Sequence, residues 1–275
     1  MQNPLLINPK QETEKIISFL KKTFKEQKID KVVLGLSGGI DSTTALYLLR
    51  EVLPAKNIFA VQMDYKPRKK LDINLKGVNI VNVPIKKIVN QFEKIVLKGE
   101  GIKFFFDLGS LLERVPTETK KFDTKPLKKA RLGNIMTRVR MIILFDLAKQ
   151  INGLVCGTEN KSERLLGYFT RFGDAASDIE PIAHLYKTQI YQLAKYLKVP
   201  EKIIDQSPTA GLWDGQTDED DFGFTYKEAD QVLYLAHDRG QDIKKIKKDF
   251  LNAEKIIKRM KNNQFKLRTP YSILK

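Results

Sequence analysis

The chain has 275 residues, enough to bury a sizeable core in one large domain or one domain with a small extension. Its 49 basic and 33 acidic side chains give a formal charge of +16; read as lysines on solvated faces, this leaves a positive field that draws in phosphorylated ligands and makes a nucleic-acid partner unnecessary. No stretch approaches the ~18–20 apolar residues of a membrane span, the N-terminus lacks a basic-then-apolar export pattern, and the single Cys156 excludes an internal disulfide and a four-cysteine zinc site. A reduced, cytoplasmic compartment is the expectation.

The elements alternate along the chain. Glu12 to Glu26 places Ile16, Ile17, Leu20 and Phe24 on one helical face. Val32–Leu36 reads as a buried strand, followed by a small, polar, glycine-rich turn and an amphipathic helix from Thr43 to Leu53. Asn57–Met63 and Val78–Val83 read as further strands, Ile85–Leu97 as a helix, and Arg131–Gln150 as a long helix with Ile135, Val139, Ile142, Ile143, Phe145 and Leu147 apolar. Leu154–Cys156 is a fourth strand, and its cysteine reads as a packed, inert thiol. Strands alternating with helices predict a parallel sheet covered on both faces, with ligands beyond the strand C-termini. Both Ser37–Ser42 and Gly157–Thr158 fall at such ends. After about residue 160 the strands fade, and Leu185–Val199, Tyr226–His237 and Asp242–Met260 read as helices. Between them, Gln206–Phe224 is a polar loop long enough to be functional or mobile. Phe104–Phe106 reads as core or an interface patch.

The turn Gly35-Leu36-Ser37-Gly38-Gly39-Ile40-Asp41-Ser42 carries the chemistry. A strand, a tight turn and a helix start make an anion site, because the first N–H groups of a helix have no intrahelical partner. Gly38 and Gly39 permit positive φ and close approach of a phosphate. A Walker A loop would place a lysine just before the Ser/Thr. Here that position is Asp41, and an acid facing a polyphosphate calls for a metal between them; Mg²⁺ held by one or two carboxylates plus phosphates fits.

The string Ser37-Gly38-Gly39-Ile40-Asp41-Ser42 resembles the pyrophosphate loop of the N-type ATP pyrophosphatases, which cleave ATP between its α and β phosphates and adenylate a substrate. Further blocks follow in order: Gly133-Asn134-Ile135-Met136-Thr137-Arg138-Val139-Arg140-Met141, Gly157-Thr158-Glu159-Asn160-Lys161-Ser162-Glu163, Gly167–Asp174, Asp178–Ile182, Leu185–Gln189, Pro208–Trp213 and Gly215–Glu219. Together they resemble ammonia-dependent NAD synthetase over about residues 12–270, least over 64–130. The resemblance implies an α/β, Rossmann-like (adenine nucleotide alpha-hydrolase-like) parallel sheet with helices on both faces. One domain is expected, with its α/β core over about 12–200 and a helical C-terminal part over about 201–275. It also implies a homodimer and the conversion of deamido-NAD, ATP and ammonia to NAD, AMP and pyrophosphate through an acyl-adenylate.

The same resemblance implies roles for residues. Gly35, Leu36, Ser37, Gly38, Gly39, Ile40, Asp41 and Ser42 would cradle the ATP phosphates, with Thr158, Lys187 and Thr209 completing the ATP site. Asp41 and Glu163 would hold Mg²⁺. Arg138, Arg171, Asp178, Phe265 and Lys266 would contact deamido-NAD, with Arg140 the alternative to Arg138 if the register slips; the last pair often reaches across the dimer. Asp174 would be the base near the incoming ammonia. Asp41, Asp174 and Lys187 are thus the expected catalytic residues. Taken alone, Glu163 reads as an exposed helix acid, Lys187 as a surface lysine and Thr158 as a helix cap. Trp213 reads equally as a ring-stacking or a packing residue, and the acidic run Asp218–Asp221 as a cap for a following helix in preference to a run that attracts cations.

Two positions depart from the family pattern. Ala175-Ala176 stands where glycines are usual, so the turn is expected to take another path, and Phe265 replaces a histidine. No glutaminase domain is expected, so free ammonia or a separate donor protein supplies nitrogen. The rival readings are another pyrophosphate-loop adenylating enzyme acting on tRNA and a non-catalytic basic nucleotide- or RNA-binding protein. The thiolases among the former commonly use a cysteine pair, and a non-catalytic protein would be expected to lose a metal acid; Asp41 and Glu163 are both retained.

Overall fold

The computed structural model describes residues 4–66, 73, 75–96, 128–213, 215–268 and 270–273. Its elements are α1 (Pro9–Gln27), β1 (Val32–Gly35), α2 (Ile40–Arg50), β2 (Ile58–Gln62), β3 (Asn79–Asn82), α3 (Lys86–Val96), α4 (Lys128–Ile151), β4 (Leu154–Cys156), α5 (Lys161–Leu166), α6 (Lys187–Tyr196), α7 (Glu201–Ile204), α8 (Asp218–Phe222), α9 (Tyr226–Leu233), α10 (Ile243–Asp249) and α11 (Ala253–Asn263). A π turn, Tyr234–Asp238, extends α9.

The four strands are parallel in the order β3-β2-β1-β4. Alternation along β1 serves both faces. Val32 and Leu34 join the core built with α1, α2 and α6, while Val33 joins the core under α3 and α4. Each of these fully buried side chains contributes about 1.5–3 kcal/mol of hydrophobic stabilisation. A third core unites α5, α8, α9, α10 and α11 around Phe222 and Tyr226. The chain leaves β1 in one direction and returns to β4 on its other side, so the carboxyl ends of these neighbours flank the topological switch point, where open α/β sheets bind ligands.

Several predicted elements shift for identifiable reasons. Helix α2 starts at Ile40 rather than Thr43: Gly39 is its extended N-cap, and its carbonyl accepts the first helical bond from the Thr43 amide. Asp41 therefore sits in the first turn of the helix, where its charge favours the dipole. The predicted helix Asp242–Met260 is two helices, because the Phe250 backbone is extended at the end of α10 and α11 starts afresh after Asn252, whose amide and side chain donate to Glu228. The segment Tyr226–His237 changes from α to π geometry at Tyr234. On α4, Ile142 is 55% exposed, whereas Met136, Val139 and Ala148 are the fully buried contacts. Phe104–Phe106 lies outside the described residues.

Candidate active site

The turn after β1 is built as an amide cradle. Gly38 has φ +78°, a conformation that strains any other residue, and no side chain caps the N-terminus of α2. Ser37 Oγ and Ser42 Oγ lie 2.9 Å apart across the turn, and the Gly39 amide donates to Ser37 Oγ at 3.2 Å. The mouth of the cradle opens into a cleft of two lobes, of about 500 and 540 Å³. Ser37, Asp41, Arg140, Glu163, Asp174 and Trp213 line both, so the lobes form one continuous space.

Asp41 and Glu163 come from different elements and meet at one cation. Lys187 Nζ donates to Asp41 Oδ2 at 2.5 Å and to Glu163 Oε1 at 3.5 Å. Glu163 is delivered by the capping box of α5: Asn160 Oδ1 accepts from the Glu163 amide at 3.0 Å while the Glu163 carboxylate accepts from the Asn160 amide. Asn160 Nδ2 also donates to Asp41 Oδ1 at 3.1 Å, tying the end of the β4 segment to the phosphate turn. Lys187 is only 2% exposed, so it is an interior cation and not the surface lysine its sequence context suggests. Burial opposes its charge, but Asp41 and Glu163 outweigh that and raise its proton affinity. Burial pushes the Glu163 carboxyl up, with Lys187 pulling it back. Asp218, 3% exposed, adds a third acid nearby; burial raises its proton affinity, its Oδ2 accepts from Tyr226 OH at 3.0 Å and its Oδ1 has no partner.

Among the described residues, no group of three or more His, Cys, Asp and Glu side chains is arranged to hold a metal ion. Two hard-oxygen carboxylates converging on one buried cation nevertheless fit Mg²⁺, which takes few protein ligands and leaves positions for phosphate and water.

The structure sorts the remaining sequence candidates. The eight residues Gly35–Ser42 all line the cleft, as do Thr158, Thr209, Asp174, Lys187 and Lys266. Thr158 is not the helix cap; Asn160 is. Lys266 Nζ reaches the Gly167 and Phe169 carbonyls of its own chain, at 2.5 and 3.0 Å. Arg138, Arg171, Asp178 and Phe265 do not line the cleft. Arg138 Nε donates to the Arg171 carbonyl at 3.4 Å, and the Arg171 guanidinium lies 5.3 Å from the Phe265 ring centre, so the aromatic substitution is matched by a cation–π contact. Asp178 Oδ2 accepts from the Val155 amide at 2.7 Å and fixes the edge of β4. Arg140, the alternative to Arg138, lines both lobes and donates to the Met63 carbonyl at 3.3 Å.

Asp174 Oδ1 accepts from the Thr170 amide at 2.8 Å, and desolvation of the carboxyl raises its proton affinity, as suits a base. The Thr170–Ala175 turn takes its left-handed residue at Phe172, φ +56°, and neither Ala175 nor Ala176 has positive φ. Behind it lie two further acids. Glu159, 5% exposed, is pushed up to about 9, chiefly by burial and then by Asp174 and Glu180. Glu180 is pushed up to about 7 by burial, and its Oε1 accepts from Ser177 Oγ at 2.7 Å. An added Cβ at Gly157 would lie 1.9 Å from Glu180 Oε1, so a larger residue here would force the Glu180 carboxylate to move.

Gln216 holds the loop over the cleft. Gln216 accepts from the Leu212 amide at 2.9 Å and donates to Asp221 at 2.9 Å, while Gly211 and Gly215 have positive φ with open space around them. Trp213 lines both lobes, with Lys129 Nζ 5.9 Å from its ring centre. The acidic run forms α8 itself, capped by Thr217, and Glu219 Oε1 also accepts from the Tyr226 amide at the start of α9. Sequence reasoning missed Asn160, Asp218 and Gln216. Asn160 was legible as the Asn three residues before Glu163, the spacing of a capping box. Gln216 and Asp218 were visible only as members of the Gly215–Glu219 block and the acidic run, with nothing local to aim them at the cleft.

A switch-point amide cradle facing carboxylates across one cleft defines a polyphosphate-binding α/β protein. The family model for NAD synthase matches residues 12–270, and the chain belongs to that family. An NH(3)-dependent NAD(+) synthetase of Fusobacterium nucleatum is 39% identical over 271 residues, 98% of this chain and 97% of that one. Two solved structures are each 29% identical. The NMN synthetase of Francisella tularensis has a TM-score of 0.74 and is matched over 98% of this chain and 100% of that one. The NH3-dependent NAD synthetase of Campylobacter jejuni, in complex with nitrate, has a TM-score of 0.72 over 97% and 100%.

Proposed function

We propose that the chain is an ammonia-dependent NAD⁺ synthetase, a C–N ligase that amidates deamido-NAD at the expense of ATP. The observation that carries this is the junction of the amide cradle with Asp41, Glu163 and Lys187 at the switch point. The cradle binds the β and γ phosphates, with the α phosphorus toward the centre of the cleft and the base against the apolar wall of Val61, Met63 and Leu144. The nicotinate carboxylate attacks that phosphorus, a P–O bond to the leaving pyrophosphate breaks, and an acyl-adenylate forms. Ammonia then attacks the acyl carbon, Asp174 takes a proton from the nitrogen, and AMP departs with one carboxyl oxygen. Asp41 and Glu163 would hold Mg²⁺, which would neutralise phosphate charge. Lys187 offers its ammonium to the charge that gathers on the leaving pyrophosphate.

Lys266 meets the dinucleotide inside the second lobe, and Arg138, Arg171 and Phe265 meet its outer part. The loop bearing Trp213 closes over the adenylate and excludes water. Self-association into a homodimer is part of the proposal; Ile88, Phe92 and Ile95 on α3 expose an apolar stripe suited to it. Among the described residues no helix is long and apolar enough to cross a membrane, and the cleft is shaped for small molecules. A tRNA substrate is not favoured.

The Francisella likeness raises a second reading, amidation of nicotinic acid mononucleotide. The test offers ATP, Mg²⁺ and ammonium with each acid in turn. Higher kcat/KM for deamido-NAD supports the first reading, and preference for the mononucleotide replaces it with the second. Formation of neither amide refutes both.

A further inference from the structure

A buried carboxylate from the helical C-terminal part reaches the two helix starts that carry Glu163 and Lys187. Asp230, on α9, is 0% exposed. Its Oδ1 accepts from Ser162 Oγ at 2.5 Å, and its Oδ2 accepts from the Thr188 amide and from Thr188 Oγ1, both at 2.8 Å. Ser162 Oγ in turn accepts from the Lys187 amide at 2.8 Å. Ser162 immediately precedes Glu163 in α5, and Lys187 and Thr188 open α6.

The chemistry of these bonds is specific. Tyr186, the N-cap of α6, makes no side-chain cap bond, so the first two amides of that helix depend on Ser162 and Asp230. One carboxylate thus ties the starts of α5 and α6 together while its charge favours a helix N-terminus. That tie joins the helix start that carries Glu163 to the one that carries Lys187, while Asn160 links Glu163 to Asp41.

We propose that Asp230 is a positioning residue for the Asp41–Glu163–Lys187 group, setting the two carboxylates at the spacing that a divalent cation bridging to ATP requires. This rests on the functional reading above. Asp230→Asn keeps the volume but sets an amide donor against the hydroxyl or amide donors now facing that carboxylate. Asp230 holds the neighbours of the ligands, so its effect is expected at the lower end of the about 10–100-fold range that direct outer partners of metal ligands exert on metal affinity.

The test measures Mn²⁺ binding by electron paramagnetic resonance with an ATP analogue whose α,β bridge cannot be cleaved, beside thermal melting and KM values. Asp230→Asn is expected to weaken Mn²⁺ binding by about tenfold with the KM for deamido-NAD within about twofold. A folded Asp230→Asn protein with wild-type Mn²⁺ affinity overturns the proposal. Should that variant fail to fold, Ser162→Ala, which leaves the Thr188 bonds in place, carries the same expectation and the same refutation. A wild type that forms neither NAD nor NMN fails the functional reading instead, and the two failures are distinguishable.

Discussion

Lys187→Met separates the two roles that meet at this buried cation. In the wild type, Lys187 is held between Asp41 and Glu163, whose side chains are each 17% exposed. Methionine preserves most of the volume and removes the charge, leaving two carboxylates and Asp218 in one poorly hydrated corner. Breaking a buried pair by removing one partner costs about 3–5 kcal/mol. At roughly 2–4 °C per kcal/mol for a chain of this size, the melting temperature should fall by roughly 6–20 °C in EDTA. The loss should shrink as pH falls, because Glu163 and Asp218, already raised by burial, lose the ammonium that pulls them down and regain stability by taking protons. The variant should also respond more to Mg²⁺ than the wild type, since no ammonium competes for the acids. A metal at 100 times its dissociation constant returns about 2.7 kcal/mol. Differential scanning fluorimetry in EDTA and in excess Mg²⁺ reads both effects. A melting temperature within about 2 °C of wild type in EDTA would refute the buried-pair account. A Mg²⁺ response no larger than that of the wild type would refute the assignment of the acids to the metal.

Asp41→Asn, which leaves the Asn160 contact an acceptor, should fold and lose turnover by about 10³-fold; near-wild-type kcat would remove Asp41 from the mechanism. Glu159 accepts from Arg164 Nη1 at 3.4 Å, yet burial and its acidic neighbours outweigh that pair, so it bears on stability with the opposite sign from an acid whose proton affinity is lowered by folding. Its carboxyl keeps a proton up to about pH 9 in the folded state, while the unfolded chain loses it near pH 4.5. Stability should therefore fall as pH rises through that window, by about 1.4 kcal/mol per unit from this group. Glu159→Gln should flatten the slope in guanidinium unfolding series, and an unchanged slope would contradict the assignment. Arg138→Ala should raise the KM for deamido-NAD by about tenfold, and Arg140→Ala should leave it near the wild-type value. The reverse pattern would exchange their places.

The sequence made the α/β class and the phosphate turn legible because both are local. Alternating apolar runs mark Val32–Leu36 and Leu154–Cys156 as strands, and Gly38-Gly39 before Asp41 marks the cradle. Glu163 and Lys187 were reachable only through the family pattern. In isolation each has the features of a surface residue, and only the tertiary fold buries Lys187 against acids 146 and 24 positions away. The two arginines of α4 show the limit of pattern alone. Arg138 and Arg140 are two positions apart, which on a helix turns them to different faces, and the fold aims Arg140 into the cleft. Asp230 had no signal, since its partners Ser162 and Thr188 are brought to it by the packing of α9 on α5 and α6.

The central claim is that the substrate carboxylate attacks the inner phosphorus of ATP held in the Ser37–Ser42 cradle. Deamido-NAD labelled with ¹⁸O in its carboxyl group, turned over with ATP, Mg²⁺ and ammonium, tests it by mass spectrometry of the products. One labelled oxygen is expected in AMP, with unlabelled pyrophosphate released alongside NAD. Label in inorganic phosphate with formation of ADP would place the attack at the outer phosphorus and contradict the account.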